Sequence, residues 1–85
     1  MPMKLQYCAW LRDSMGCDSE HIVLPKEVKN VGMLLDWLLT QGERFNSAFE
    51  YIDVVLVSVN LHYADRDYPV RDEDEVIFSP PIAGG

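Results

Sequence analysis

The sequence predicts a single two-layer domain of the α+β class, in which one helix packs on one face of a small sheet. The first observation is length, since 85 residues suffice for one compact core. The second is that one segment carries apolar residues at helical spacing, whereas others carry them at strand spacing. The third is a hydrophobic content of 48%, which is typical of a folded protein. The predicted order is β-β-α-β-(β)-β, where the strand in parentheses is an open alternative.

The N-terminal segment alternates between apolar and polar residues, as expected for a strand with one buried face. Its apolar positions are Leu5, Tyr7, Ala9 and Leu11. Residues 14–18 are expected to form the connecting turn. A second short strand is predicted over 21–24 and ends at Pro25, because proline cannot donate a hydrogen bond to a ladder. Since the two strands lie close in sequence, we expect them to form a hairpin.

The middle of the chain changes to a helical period. The apolar stripe consists of Val31, Leu34, Leu35, Leu38 and Leu39, which is one face of an amphipathic helix. Asn30 is the predicted N-cap and Gly42 the predicted end of this helix. We expect Met33 and Trp37 to belong to the core as well. A short helical turn is predicted over 43–50, because Phe45 and Phe49 are four residues apart.

The C-terminal half contains two further strands. Residues 54–59 are apolar and β-branched, which predicts a buried strand. Residues 63–70 form a polar connection, with a short edge strand as the alternative. The last strand covers 75–79, with Val76 and Phe78 on one face. The folded domain is therefore expected to span residues 1–79, and residues 80–85 to form a flexible, extended tail.

Composition excludes several classes of function. Fourteen acidic and seven basic residues give a net charge of -7, which argues against nucleic acid and favours partners with basic surfaces. No apolar run reaches the length of a membrane span or of the apolar region of a signal peptide. We therefore expect a cytoplasmic protein without a membrane partner. Cys8 and Cys17 are too few for a disulfide framework and too far apart for a CxxC pair, so we expect reduced thiols.

The C-terminal sequence is unusual. After the last strand the chain reads Pro80-Pro81-Ile82-Ala83-Gly84-Gly85. The two prolines favour an extended path, and six extended residues span about 20 Å. The final residues carry almost no side-chain bulk, so this tail suits a narrow channel in another protein, where it presents its terminal carboxylate. The alternative is a frayed terminus, as many chains have.

Three segments carry a resemblance to a known family. The most specific is RDEDEVIFSPPIAGG over 71–85, which resembles the C-terminal turn, strand, Pro-Pro and Gly-Gly of the small subunit of molybdopterin synthase. The segment YCAWLRDSMG over 7–16 resembles the family's first strand and turn, and Val59-Asn60 resembles the Val-Asn before a polar hairpin. The resemblance implies a ubiquitin-like β-grasp: a mixed sheet of four to five strands with one main helix, and with the first and last strands adjacent.

The resemblance also implies a chemistry. An E1-like adenylyltransferase uses ATP to adenylate the terminal carboxylate of Gly85, and sulfur then replaces an oxygen to give a thiocarboxylate. The tail enters the large catalytic subunit of molybdopterin synthase and donates sulfur to cyclic pyranopterin monophosphate, forming the molybdopterin dithiolene of the molybdenum cofactor. Gly84 and Ala83 are then the thin stem, and Pro80-Pro81 stiffen its base. The carrier itself is implied to bind no cofactor and to be non-catalytic within a heterotetramer.

The family also contacts its partners through exposed apolar residues beside the tail, which correspond here to Cys8, Tyr63 and Ser79. Ser79 is polar where the family usually has an aromatic residue, and Trp10 compensates if it points outward. A second departure is Glu73, which stands where the family has glycine between two aspartates. The turn before the last strand is therefore expected to differ in shape.

Other signals favour structural roles, and three other functions stay open. The acidic residues of 65–75 do not have EF-hand spacing, and His21 and His62 lie far from other ligand types in sequence, so no metal site is expected.

One alternative function is a sulfur carrier for thiazole or tRNA thiolation. Another is a ubiquitin-like modifier whose Gly85 forms an isopeptide bond with lysines. The last is a binding module whose tail is incidental.

Overall fold

The computed structural model describes residues 2–49 and 55–80 of the chain. In these ranges the elements follow in the order β1 (Met3–Tyr7), α1 (Trp10–Met15), β2 (Ser19–Ile22), α2 (Val31–Leu39), α3 (Glu43–Ala48), β3 (Leu56–Val59), β4 (His62–Tyr63) and β5 (Glu75–Ser79). The strands form one sheet in the order β2-β1-β5-β3-β4. Strands β1 and β5 are parallel, and the other pairs are antiparallel. This confirms the α+β class and the mixed β-grasp sheet.

The core lies between one face of the sheet and the helices. Alternate residues of β1, β3 and β5 are buried, as the period of a strand requires. The same face of the sheet is covered by the buried stripe of α2, which consists of Val31, Leu34, Leu35 and Leu38. The predicted helix stripe is therefore confirmed for these four residues, whereas its fifth member, Leu39, is half-buried against the core. The prediction for Val76 and Phe78 is also confirmed.

The first predicted strand is too long. Strand β1 ends at Tyr7, Ala9 has a φ of 54°, and Trp10 begins helix α1. Leu11 is buried on this helix together with Met15, four residues later. The pattern was ambiguous because Leu11 fits both the strand period from Leu5 and the helical period to Met15.

The connection between the first two strands differs from the predicted turn over 14–18. Helix α1 continues to Met15 and ends at Gly16, which has a φ of 79° and donates its N–H to the carbonyl of Arg12. Glycine adopts this left-handed conformation without a steric penalty. Strand β2 covers 19–22 rather than 21–24. Its antiparallel pairing with β1 is confirmed, although a helix lies between the two strands.

The start of α2 is as predicted, and its end is not. The Asn30 side chain accepts a hydrogen bond from the N–H of Met33 at 2.8 Å, which confirms the N-cap. The helix ends at Leu39 with Thr40 as its C-cap, so Gly42 does not stop it. Gly42 instead precedes α3 as its N-cap. Met33 is 40% exposed and is not a core residue; Trp37 is half-buried against the core.

The remaining predicted elements are compared here with the residues that the structure describes. Helix α3 confirms the helical turn after residue 43, and Phe45 and Phe49 are both buried. Strand β3 confirms the buried strand from residue 56, whereas residue 54 lies outside the described residues. A short edge strand exists as β4, but it covers His62–Tyr63 and overlaps the predicted range of 63–70 only at Tyr63. The longest described helix, α2, has nine residues, and no helix in the described ranges has the length and hydropathy to cross a membrane.

Candidate functional site

The candidate site is the root of the C-terminal tail. Strand β5 ends at Ser79, and Pro80 follows it half-buried. The rest of the predicted tail lies outside the described residues: Pro81, Ile82, the stem residues Ala83 and Gly84, and the sulfur-bearing Gly85. The flexibility and path of the tail therefore stay predictions, and the structure defines the place from which it leaves the domain.

The root is anchored on both sides and from below. Strand β5 lies in the middle of the sheet, with Phe78 beside Tyr7 of β1 and Ser79 beside Leu56 of β3. The N–H of Cys8 donates to the carbonyl of Phe78 at 3.1 Å. The fully buried Phe78 ring contacts Tyr7 with a centroid distance of 6.0 Å and Phe49 with one of 5.1 Å. These contacts fix the position and direction in which the chain leaves β5.

A polar network that the sequence does not predict ties this region together. The Tyr7 hydroxyl donates to Glu20 Oε2 at 2.7 Å, and Arg44 Nη2 donates to Glu20 Oε1 at 3.0 Å. Arg44 Nη1 also donates to the carbonyl of Met15 at 3.2 Å. The network thus joins β1, β2, α3 and the end of α1. No local pattern reveals it, because its members are far apart in sequence.

The network perturbs the titration of two groups. Burial raises the pKa of Tyr7 well above its ordinary value, and the hydrogen bond to the Glu20 carboxylate raises this pKa further. The hydrogen bond to Glu20 also raises the pKa of Arg44. Tyr7 therefore stays a neutral donor and Arg44 a cation, which is the state a stabilising network requires.

On the face of the sheet opposite the core, the outward residues of the described strands are exposed or half-exposed, and the strand register places them in rows. One row runs through Gln6, Ile77, Ser58 and Tyr63. The row nearer the tail pairs Ser79 with Leu56, and continued alternation along β1 puts Cys8 on the other side of Ser79. We call Cys8, Leu56, Tyr63, Ile77 and Ser79 the tail-side face.

The tail-side face contains all three residues that the resemblance assigned to docking. Tyr63 is 75% exposed, whereas Cys8 and Ser79 are half-exposed. Two further members, Leu56 and Ile77, were missed by the sequence analysis. Both are half-exposed apolar residues at the outward positions of their strands. Alternation within the predicted strands was the signal that could have found them.

Trp10 was proposed to compensate for the aromatic residue that is missing at Ser79, which requires it to point outward. It does lie outward, but on a helix and not on a strand. It is the first residue of α1 and is 41% exposed. Because β1 and β5 are parallel, both strands finish at the same end of the sheet. The start of α1 and the root of the tail therefore share that end. Farther from the tail, Lys4 Nζ lies 3.5 Å from Glu75 Oε2, an exposed pair that contributes little to stability.

The acidic turn before β5 is held by hydrogen bonds. Asp74 accepts from the backbone N–H of Arg71 at 2.9 Å and from Asn60 Nδ2 at 3.0 Å. Asn60 Oδ1 in turn accepts from the N–H of Glu75 at 3.0 Å. Glu73 has a φ of 77°, a conformation that suits glycine and strains other residues. The turn thus has a glycine-like backbone at the position where the family has glycine.

No metal-binding constellation occurs in residues 2–49 and 55–80. These ranges contain no group of three or more His, Cys, Asp or Glu side chains that is suited to hold an ion. His21 and His62 are exposed and lie on β2 and β4, the two edge strands of the sheet. Both cysteines are free thiols in this structure.

Comparison with known proteins gives matches over nearly the whole chain. The model of the ThiS family matches residues 5–85. The molybdopterin synthase sulfur carrier subunit of Escherichia coli (strain K12) is 30% identical over 83 residues, which cover 98% of this chain and 99% of that protein.

Two solved structures illustrate the similarity of fold. Small archaeal modifier protein 1 of H. volcanii has a TM-score of 0.74 and 21% identity, with coverage of 95% of this chain and 98% of that one. A chain in the complex of subunits 1 and 2 of molybdopterin-converting factor from Helicobacter pylori 26695 has a TM-score of 0.67 and 20% identity, with full coverage of both chains. At these identities the two likenesses support the β-grasp fold alone.

Proposed function

Since this chain belongs to the ThiS family, we propose that it is the sulfur carrier subunit of a molybdopterin synthase and that Gly85 carries the sulfur. The observation that carries this proposal is the end-to-end match to the Escherichia coli sulfur carrier subunit at 30% identity. The Gly84-Gly85 pair and the anchored root from which the tail departs support it.

The proposed chemistry begins with activation of a poor electrophile. An oxygen of the Gly85 carboxylate attacks the α-phosphorus of ATP, which forms an acyl adenylate and releases pyrophosphate. A sulfide-equivalent donor then attacks the acyl carbon and displaces AMP, which leaves a thiocarboxylate. The thiocarboxylate sulfur attacks a side-chain carbon of cyclic pyranopterin monophosphate and displaces an oxygen from that carbon, which leaves as water or, where the cyclic phosphate opens, as the phosphate oxygen. Hydrolysis of the acyl–sulfur bond then leaves sulfur on the pterin and restores the carboxylate. Two such transfers supply the two dithiolene sulfurs.

The proposed role of this domain is to position the tail. A short tail on a fixed root searches a small volume, so its terminus reaches a partner's pocket at a high effective concentration. The contacts of Phe78 with Tyr7 and Phe49 keep that root fixed. Acid–base chemistry and ATP binding are assigned to the partners, so this chain acts as a non-catalytic subunit without a bound cofactor.

The tail-side face is the proposed docking surface for two partners. One is the large catalytic subunit of molybdopterin synthase, a partnership supported by the two-subunit complex from Helicobacter pylori. The other is an E1-like adenylyltransferase. Leu56, Ile77 and Tyr63 supply the apolar contact, and Trp10 extends it beside the root of the tail. The proposed assembly is a heterotetramer of two small and two large subunits.

The deciding experiment is an intact mass measurement after incubation with the adenylyltransferase, ATP and a sulfur source. We expect a mass gain equal to the exchange of one oxygen for sulfur. A chain without Gly85 is the control and should gain nothing. The loaded chain, mixed with the large subunit and cyclic pyranopterin monophosphate, should then yield molybdopterin. A chain that is activated but never acquires sulfur would contradict the proposal.

A ubiquitin-like modifier is the second candidate, favoured by the structural likeness to small archaeal modifier protein 1. Both functions begin with the same adenylate, but here a lysine amine attacks the acyl carbon and forms an isopeptide bond. High-mass conjugates that disappear when Gly85 is deleted would support this candidate. A carrier for thiazole or tRNA thiolation shares the thiocarboxylate and is distinguished by its sulfur acceptor.

A further inference from the structure

A basic groove lies at the end of the sheet opposite the tail. It has a volume of about 230 Å³ and is formed by Leu24, Pro25, Lys26, Val28, Lys29, Val70, Arg71 and Asp72. The groove follows the end of β2 and precedes the start of β5, at the end of the sheet where β1 and β5 begin. The root of the tail lies at the other end of β1 and β5, each of which is roughly 15 Å long.

The charge of this groove is opposite to that of the chain. Three of the seven basic residues of this protein line it, although the net charge is -7. Lys26, Lys29 and Arg71 are exposed, and none lies within 4 Å of a carboxylate among the described residues. By contrast, Arg12 and Arg44 each pair with a carboxylate elsewhere.

The one acidic residue of the groove is already engaged. Asp72 Oδ1 accepts a hydrogen bond from the N–H of Leu24 at 3.2 Å, so this carboxylate holds one wall to the other. Two more bonds preform the groove: the N–H of Val28 donates to the carbonyl of Pro25 at 3.1 Å, and the N–H of Val70 to that of Lys29 at 3.0 Å. A preformed groove loses little conformational entropy when a ligand binds.

These same bonds argue against a small anion as the ligand. Phosphate sites use converging backbone N–H groups, whereas those of Leu24, Val28 and Val70 are already donated within the protein. The volume is also below that of pockets for drug-sized molecules, which hold roughly 300–1,000 Å³. The groove therefore offers a ligand an apolar floor, with lysine and arginine side chains along its rim.

We propose that the basic groove docks an extended acidic segment of a partner protein. Carboxylates of that segment pair with Lys26, Lys29 and Arg71, and a small aliphatic side chain between them rests on the floor made by Leu24, Val28 and Val70. Because the groove and the tail root are at opposite ends of the sheet, the two are occupied independently. A partner bound there holds the carrier while its tail is inside another protein.

The test is a titration of the isotope-labelled full chain, followed by amide NMR shifts. The probe is the peptide acetyl-Asp-Glu-Val-Asp-Glu-amide. Its control is the neutral peptide in which Asn replaces each Asp and Gln replaces each Glu. We expect shifts confined to residues 24–29 and 70–72, with a Kd in the high-micromolar range that rises with salt. Equal shifts with the neutral peptide, or no shifts with the acidic one, would overturn the proposal.

Two double variants separate the groove from overall charge. Lys26→Ser with Lys29→Ser should weaken binding about tenfold, since each exposed ion pair contributes a factor of about two to five. Lys4→Ser with Arg12→Ser removes the same charge elsewhere and should leave the Kd nearly unchanged; an equal loss in both would refute a specific site. Deletion of Gly85 should not alter binding, whereas displacement of the peptide by millimolar phosphate would mean a small-anion site instead.

Discussion

Glu73→Gly should stabilise this protein, although it removes a side chain. Glu73 lies in the turn before β5 and has a φ of 77°. Its side chain is exposed and makes no hydrogen bond or ion pair with other described residues. The substitution therefore relieves backbone strain without a loss of contacts, in a turn that Asp74 and Asn60 hold in place.

The expected magnitude follows from two opposing contributions. A non-glycine residue in the left-handed region costs about 1–2 kcal/mol. Glycine has more freedom in the unfolded chain, which offsets this gain by about 0.5–1 kcal/mol. The net gain in the free energy of unfolding is then about 0–1.5 kcal/mol, with a middle value of about 0.75 kcal/mol. For a domain of this size, the middle value corresponds to a rise in Tm of about 3–6 °C.

Thermal unfolding followed by circular dichroism is the assay, and two variants are its controls. Glu73→Gln removes the charge but keeps the strain, so its Tm should stay close to that of the unmodified protein. Glu27→Gly places glycine at another exposed turn residue, one without a positive φ, and should be neutral or destabilising. The reasoning is refuted if Glu73→Gly lowers Tm, or if Glu73→Gln raises it equally.

Three further predictions concern the network, the anchor and the docking face. Above about pH 10 the unfolded chain loses the Tyr7 proton whereas the folded chain keeps it, so stability should fall by about 1.4 kcal/mol per pH unit from this group; Tyr7→Phe should remove that component in urea titrations. Phe78→Ala should lower the free energy of unfolding by about 3–5 kcal/mol, because it leaves a cavity beneath the root of the tail. Trp10→Ala should raise the Kd for the large subunit about tenfold in calorimetry while Tm changes little.

Matched controls accompany these variants. Ile77→Ala changes the neighbouring position on the open face and should cost clearly less than Phe78→Ala in urea unfolding. Met33→Ala removes an apolar side chain of nearly the same exposure as Trp10 from helix α2, and should not change the affinity for the large subunit. A pH dependence that persists in Tyr7→Phe would show that other groups cause it, and unchanged partner binding in Trp10→Ala would remove Trp10 from the docking surface.

Local signals predicted those features of the fold that depend on neighbouring residues. Asn30 was identifiable as an N-cap because its side chain reaches an N–H only three residues ahead. The end of β1 was not identifiable, since Leu11 suits both a strand and a helix, and the choice depends on burial of Leu11 and Met15. Gly42 likewise fits the end of one helix and the start of the next, and only the tertiary structure assigns it to α3.

Sequence patterns alone predicted the C-terminal motif, the helix stripe and the order of most strands, because each depends on residues that are adjacent or one turn apart. Only the tertiary structure placed Cys8 beside Ser79, joined Tyr7, Glu20 and Arg44, and separated the basic groove from the tail. The first and third of these arrangements depend on the parallel pairing of β1 with β5, which brings together segments about seventy residues apart. The network depends instead on the antiparallel pairing of β1 with β2 and on the position of α3. No local pattern encodes these registers, since they arise from burying one face of all the strands against the same helices.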